Sequence, residues 1–208
     1  HNERLMSLIH KINDLNPDLV LFPGDIIDEN IGPFVEQKMG DSFSLLKPGY
    51  GTFAVFGNHE YIGGHSEEAY THLREAGVTV LRDNYQKVAG SFYIVGRDDH
   101  AGERFDGPPR LDLPALMEGV DTSLPVIFLD EARDAGVDLQ LSGHTHLGQL
   151  FPYNLITRII FETDWGYLRK EGLQVIVSCG FGTWGPPIRV GNKPEIVEIM
   201  IHFTGPPE

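Results

Sequence analysis

Leu139-Gln140-Leu141-Ser142-Gly143-His144-Thr145-His146 carries a short apolar segment into a glycine and two histidines. If Leu139–Ser142 is a buried strand, the histidines sit where the chain leaves the sheet. The carboxyl ends of strands are where open α/β sheets bind their ligands. In extended chain a spacing of two turns both imidazoles the same way, and imidazole suits Zn, Fe, Ni and Cu. Taken alone, the pair reads equally well as two surface-loop histidines, so the flanking chain has to decide.

Two other apolar runs end in the same manner. Leu19-Val20-Leu21-Phe22 is short and continuous, as a buried parallel strand should be, and leads into Gly24-Asp25-Ile26-Ile27-Asp28. Thr52-Phe53-Ala54-Val55-Phe56 leads straight into Gly57-Asn58-His59-Glu60. Around these runs the pattern alternates. Leu5, Leu8, Ile9, Ile12 and Leu15 predict an amphipathic helix over Glu3–Leu15, stopped by Asn16-Pro17. Pro33–Leu46 is expected to be helical, with Phe34, Phe43 and Leu46 toward the core. Ser66 can cap a helix through Ala76, with Glu67 and Glu68 favourable in its first turn.

Val78–Leu81, Tyr85–Val88 and Phe92–Val95 are strand candidates separated by turn signals. Gly96–Pro109 reads as a long polar loop, of the kind that is often functional. Leu113–Met117 suggests a short helix and Pro125–Leu129 another buried strand. That strand ends at Asp130 and passes directly into a short helix, Glu131–Ala135. Leu150–Asp164 has only a weak pattern. Leu173–Ser178 is a strand candidate, followed by the Gly/Pro-rich loop Gly180–Pro187. Val197, Ile199, Ile201 and Phe203 alternate onto one face of an expected last strand, Ile196–Phe203. Strands and helices alternate and then strands dominate, which predicts an α/β sandwich with a mixed sheet in a single domain over residues 1–208.

The bulk numbers agree with that class and narrow the partners. With 208 residues and 41% hydrophobic content, the chain is long enough for a layered core. Thirty acidic against 16 basic residues give a net charge of −14, which argues against a nucleic-acid backbone as main partner. A phosphorylated substrate stays admissible if metal cations supply the local positive charge. Cys179 is the single cysteine, so no internal disulfide exists; it reads as a small buried hydrophobe. No apolar run reaches the roughly 18 residues of a membrane span, and no signal-peptide pattern is visible. The chain opens on His1, as a fragment or a processed chain would. No Gly-x-Ser-x-Gly elbow or P-loop supports a serine hydrolase or an NTPase.

Three buried strands ending in Gly-Asp, Gly-Asn-His-Glu and Gly-His-Thr-His would bring Asp25, Asn58, His144 and His146 into one pocket if the strands are neighbours in one parallel sheet. A carboxylate, an amide oxygen and imidazoles form a mixed donor set that suits Mn, Fe or Zn better than Ca.

In order and spacing, Gly24-Asp25-x-x-Asp28, Gly57-Asn58-His59-Glu60 and Gly143-His144-x-His146 resemble the calcineurin-like metallophosphoesterases. Gly143-His144-Thr145-His146-x-Gly148-Gln149, with Trp184-Gly185-Pro186-Pro187 downstream, is similar to a bacterial branch that often carries N-terminal transmembrane helices. The resemblance implies a sandwich of mixed sheets flanked by helices, binding two divalent metal ions (Mn, Fe or Zn). It implies that Asp25 bridges the metals, that Asn58 and His144 bind one, and that His146 binds the other. His59 would face the substrate and donate to a phosphoryl or leaving-group oxygen. Asp28 would orient the ligands from behind, a role with real weight in metal sites, and Glu60 would be structural. Two cations roughly 3.5–4 Å apart can clamp an in-line displacement. The implied reaction is hydrolysis of a phosphomonoester, phosphodiester or pyrophosphate bond by metal-activated water.

Two features depart from the family pattern. No Asp-x-His precedes Asp25, so the first strand and its ligands are absent. No histidine follows the strand ending at Asp130, and strand passes to helix without a turn. Several residues are therefore expected to be missing between Asp130 and Glu131; a bonded Cα–Cα separation of about 3.8 Å there would refute this. The depleted ligand set keeps two other readings open: a non-catalytic binding module on the same fold, and a single-metal hydrolase site. His100, Arg97 and Arg189 are candidate substrate contacts, the arginines because a guanidinium meets phosphate bidentately; surface salt bridges are the bland alternative. Trp184 and Phe181 either line a cleft or simply pack. The implied partner is a small phosphorylated substrate, lipid-linked ones included. Any membrane attachment would lie in segments outside this chain, and the localisation stays open.

Overall fold

The apolar runs become the framework of the computed structural model, which describes residues 2–105, 107–130, 137–143, 165–170, 172–183, 189–190 and 193–203. β1 (Val20–Pro23), β2 (Thr52–Val55) and β3 (Val78–Val80) form one sheet in that order, parallel throughout. Val20 faces Thr52 and Pro23 faces Val55. Gly24 and Phe56 therefore leave the sheet side by side.

The second sheet has β4 (Asn84–Val88), β5 (Phe92–Gly96), β6 (Val126–Leu129), β7 (Leu139–Ser142), β8 (Gly166–Lys170) and β9 (Leu173–Val177). Its order is β4-β5-β6-β7-β9-β8. The four central strands run parallel, and β4 and β8 are antiparallel edges. β5, β6 and β7 are buried at every residue, as parallel strands covered on both faces should be.

The sheets face each other through one apolar layer. Phe53, Val55 and Leu81 meet Ile94, Ile127, Leu129, Leu139 and Leu141, with Leu19 and Leu21 packed alongside. The approach is closest at Gly96, where a Cβ would fall 2.3 Å from Leu81 Cβ and 2.7 Å from Val55 Cγ1. Any side chain there would force the layers apart.

Helices cover the outer faces. α1 (Asn2–Asp14), α2 (Gly32–Glu36), α3 (Met39–Phe43) and α5 (Ser66–Glu75) bury Ile9, Ile12, Phe34, Phe43 and Leu73 against Ala54, Phe56 and Val78. Leu116 of α7 (Leu113–Leu116) packs with Tyr93, Val95 and Phe128 on the other side. The result is the expected α/β-β/α sandwich, with helices flanking a parallel and a mixed sheet. Among the described residues no helix is long and apolar enough to cross a membrane.

Three expectations need correction. The helix expected over Pro33–Leu46 is two helices, broken where Lys38 takes φ +50. Phe34 and Phe43 stand roughly two and a half turns apart, on opposite sides of a continuous helix. The break lets both reach one core, with ring centroids 6.4 Å apart. Ile196–Phe203 forms no strand. Phe203 stacks on Phe92 at 5.4 Å and Ile199 packs on the inter-sheet core, while Val197 and Ile201 stay exposed. Alternation sets a face, but it supplies no neighbour for the ladder. The long loop after β5 contains a short helix, α6 (Ala101–Arg104). The junction after Asp130, the expected helix Glu131–Ala135 and the segment Leu150–Asp164 lie outside the described residues.

Candidate active site

The turn after β1 is tight. Gly24 has φ +102, a region that favours glycine, and Asp25 follows at φ +50. Aspartate is among the few other residues that tolerate this left-handed conformation, and non-glycine residues held there cluster at functional sites. The turn delivers the Asp25 carboxylate to the loop after β2, where its Oδ1 accepts from the His59 backbone N–H at 3.1 Å.

That loop is itself the start of a helix. Asn58-His59-Glu60-Tyr61-Ile62 form α4, preceded by Gly57 in extended conformation. Glu60 turns back on the chain. Its Oε2 accepts from Gly57 N at 2.8 Å, and its Oε1 accepts from Ile27 N at 2.8 Å. One carboxylate, only 3% exposed, thus ties the Gly-Asp loop to the Gly-Asn-His-Glu loop. Burial and then the nearby Asp25 charge push Glu60 up to about 8, against the pull of the Ile27, Gly57 and Ile26 N–H groups. The two loops also touch at Gly63, where a Cβ would sit 1.9 Å from the Glu29 carbonyl oxygen. Only glycine permits that contact.

His59 is buried, and its Nδ1 lies 3.5 Å from Asp28 Oδ1 and 3.9 Å from Glu29 Oε1. Asp28 therefore stands against the imidazole. Both acids are about half exposed, so the interaction is screened by solvent.

β1, β2 and β7 are not neighbours in one sheet. β1 and β2 pair in the first, and β7 lies in the second between β6 and β9. The expectation of a shared parallel sheet is corrected, yet the three ends still meet. A Cβ on Gly143, the residue after β7, would stand 3.3 Å from the Pro23 carbonyl oxygen at the end of β1. The sandwich brings together across its two layers what a single sheet would have placed side by side. His144 and His146, which follow Gly143, lie outside the described residues. Among those described, no three His, Cys, Asp or Glu side chains close on one point. Asp25 Oδ2 and Asn58 Oδ1 are both buried at the facing strand ends. Hard oxygen donors withdrawn from water beside a second acid fit a divalent cation.

The expected substrate contacts are distributed differently. Arg97, just after β5, donates through Nε to the Leu111 carbonyl at 3.2 Å, and its Nη1 lies 3.8 Å from Asp130 Oδ2. Arg110 donates to the same oxygen at 2.6 Å, with both side chains almost wholly buried. Burial and then the Arg110 charge lower the Arg97 pKa. Arg189 clamps backbone, donating to the Cys179 and Gly180 carbonyls at 2.8 and 3.1 Å. His100 is exposed and precedes α6, which packs on α4. Cys179 is buried, and burial raises its thiol pKa. Phe181 lies under the Arg4 guanidinium at 5.3 Å, while Trp184-Gly185-Pro186-Pro187 lies outside the described residues.

Sequence reasoning missed the buried group behind α4. Tyr61 Oη donates to Asp98 Oδ1 at 2.5 Å, and Arg82 Nε donates to Asp98 Oδ2 at 3.3 Å. These residues come from three separate segments, and no local motif links them. Glu60, by contrast, has a visible signal: an acid three residues after a helix-initiating glycine can reach back to its N–H, as in a capping box.

Known proteins resemble this chain in sequence and in fold. The profile of the calcineurin-like phosphoesterase family matches residues 1–148. An uncharacterized metallophosphoesterase of Aquifex aeolicus is 38% identical over 197 residues, covering 91% of this chain and 74% of its own. A transmembrane protein with metallophosphoesterase domain from Danio rerio is 27% identical over 215 residues; the match spans 95% of this chain but only 49% of that protein. Among solved structures, a sulfate thiohydrolase of Thermus thermophilus, SoxB, superposes with TM-score 0.51 at 18% identity, over 86% of this chain and 38% of its own. That last likeness bears on the fold alone.

Proposed function

We propose, from the premise that this chain belongs to the calcineurin-like phosphoesterase family, that it is the catalytic domain of a hydrolase of small phosphate esters or anhydrides dependent on two divalent metal ions. The observation that carries the reading is the meeting of strand ends from two sheets. Asp25 is bonded to the head of α4, and Gly143 rests against Pro23. Asp25 and Asn58 would hold metal, with His144 and His146 completing the set. Bound divalent cations of this kind supply Lewis acidity toward phosphoryl oxygens and acidify water.

The remaining work falls to protein groups. Asp28 and Glu29 sit beside His59 Nδ1 and hold the ring's orientation. Nε2, on the opposite edge of the imidazole, is then the atom that donates to the leaving-group or phosphoryl oxygen. Glu60 keeps the two ligand-bearing loops in register and takes no part in proton transfer. The net charge of −14 disfavours polyanionic nucleic acid, and the substrate class proposed is small phosphorylated molecules, lipid-linked ones included.

The test is metal analysis coupled to turnover. The protein from a full-length gene should carry close to two equivalents of Mn, Fe or Zn and hydrolyse bis-p-nitrophenyl phosphate or p-nitrophenyl phosphate. His59→Gln should lower kcat at least about a hundredfold with the metal retained, the lower end of what a general acid contributes. Metal-free, inactive protein would overturn the reading in favour of a binding module, and one equivalent in favour of a single-metal hydrolase.

A further inference from the structure

We infer that Tyr61, Asp98 and Arg82 form a positioning brace that fixes the rotation of α4, and with it Asn58 and His59, against the loop that follows β5. The inference rests on the functional reading above for its activity readout, and on geometry alone for its structural one.

α4 has five residues, far below the length at which a helix in water holds itself. Its conformation and azimuth must come from outside. Glu60 secures the first turn from the side of the β1 loop. That contact and the Asp25 bond to the His59 N–H hold one side of the short helix, and its azimuth is fixed only when the opposite side is held too. At roughly 100° per residue, Tyr61 projects about 200° from His59, so it emerges from the opposite side of the helix. A bond to Tyr61 is therefore a lever on His59.

The lever is anchored deeply. Tyr61 is fully buried, Asp98 is 2% exposed, and the Tyr61 Oη–Asp98 Oδ1 bond is 2.5 Å. Asp98 is itself fixed, since its backbone N–H donates to Asp83 Oδ1 at 2.9 Å and its Oδ1 accepts from Asp99 N at 3.2 Å. Arg82 closes the assembly. Its Nε reaches Asp98 Oδ2, and its guanidinium lies 5.4, 5.6 and 5.9 Å from the rings of Phe56, Tyr61 and Tyr70. Glu67 of α5 takes its outer end.

Packing leaves Tyr61 no slack. A Cβ on Gly107 would fall 3.0 Å from Tyr61 Cε1, and one on Gly102 would fall 3.3 Å from Tyr61 Cζ. Two glycines of the loop thus press on the ring. The brace spans the two layers: α4 follows β2 of the parallel sheet, and Asp98 follows β5 of the mixed one. Through it the mixed sheet sets the angle at which the parallel sheet presents its histidine.

The experiment uses Tyr61→Phe, which removes one hydroxyl and keeps the packing, with Asp98→Asn and the double variant. Each is compared with wild type by bis-p-nitrophenyl phosphate kinetics and by proton–nitrogen correlation NMR of histidine-labelled protein, with His59 assigned through His59→Gln. We expect Tyr61→Phe to lower kcat about tenfold with KM changed less than twofold, and to shift the His59 resonances while His10, His65 and His72 stay in place. The double variant should lose little more than either single one, and Arg82→Lys should fall between wild type and Asp98→Asn. If Asp98→Asn does not fold, Tyr61→Phe alone decides. Unmoved His59 resonances in a folded Tyr61→Phe protein would overturn the brace, as would an unchanged kcat in an active enzyme. Should the wild-type protein show no turnover, the functional reading fails separately and the NMR comparison still decides the brace.

Discussion

On the parallel-sheet side of the sandwich the functional loops are held through backbone groups, and on the mixed-sheet side through pairs of polar and charged side chains. Glu60 accepts N–H groups from Gly57 and Ile27, Asp25 accepts the N–H of His59, and Gly63 lies against the Glu29 carbonyl. On the facing layer, Arg97 and Arg110 converge on Asp130, and Asp98 receives Arg82 and Tyr61 from the parallel-sheet side. Backbone donors have no rotamers to lose, so a single well-placed acceptor orders two loops at little entropic cost. Side-chain pairs must desolvate both partners, and the Coulomb gain largely offsets that cost without exceeding it. The parallel side is thus the one where a single atom matters most.

The sharpest way to break this contrast is Glu60→Ala. It strands two buried N–H groups at about 1–3 kcal/mol each, so a loss of about 4 kcal/mol is expected in urea unfolding. Glu60→Gln, which keeps one acceptor oxygen, should recover roughly half. A loss below about 1 kcal/mol for Glu60→Ala would mean that the loops are held by something else.

On the opposite side, Arg110→Met leaves Asp130 with its weaker 3.8 Å contact to Arg97. Breaking a buried pair from one side costs about 3–5 kcal/mol; with Arg97 in reserve the lower figure is expected. The double change Arg110→Met, Asp130→Leu should be less costly than the single one, because it removes the buried carboxylate together with its closest cation. No exchange of side chains can rescue Glu60→Ala in that way: only proline lacks a backbone N–H, and its ring fixes φ and brings a strain of its own. If the double variant is as unstable as the single, the contrast between the two sides collapses.

Gly63→Ala tests the steric part of the same seam. Its Cβ meets the Glu29 carbonyl at 1.9 Å, so the Asp28–Glu29 turn must move. Overpacking of this kind costs about 1–3 kcal/mol. Histidine NMR should show the His59 resonances shifting with it.

How much of this was legible in the chain follows the same division. Gly24-Asp25, Gly57-Asn58-His59-Glu60 and Gly143 were readable because each ends a short apolar run, and the runs became β1, β2 and β7. Local signals of that kind survive in one dimension. The assignment of β7 to a different sheet did not, because a four-residue strand carries no label for its neighbours. The alternation in Ile196–Phe203 predicted a strand where none forms, for the same reason. β8 was missed because Tyr167 and Arg169 give it an exposed edge character with no apolar run. Asp98 and Tyr61 stand far apart in sequence, and only the close approach of the two layers, set by Gly96 against Leu81 and Val55, brings them together.

The smallest effect expected is that of Asp28→Asn, and it separates two roles for this residue. The family pattern implies an acid that orients metal ligands; the geometry places it 3.5 Å from His59 Nδ1, with Glu29 sharing the task at 3.9 Å. Both acids are open to solvent, which limits what either contributes. Asn keeps an oxygen for the imidazole and loses only the charge. A fall in kcat of about three- to tenfold is therefore expected, under about 1.4 kcal/mol in barrier, with KM, metal content and stability unchanged. Asp28→Asn with Glu29→Gln should deepen the loss, because it removes the reserve acid as well. If Asp28→Asn alone releases metal, the residue works through Asp25 or Asn58, and the imidazole is not its point of action. Metal content and kcat measured on the same preparation tell the two apart.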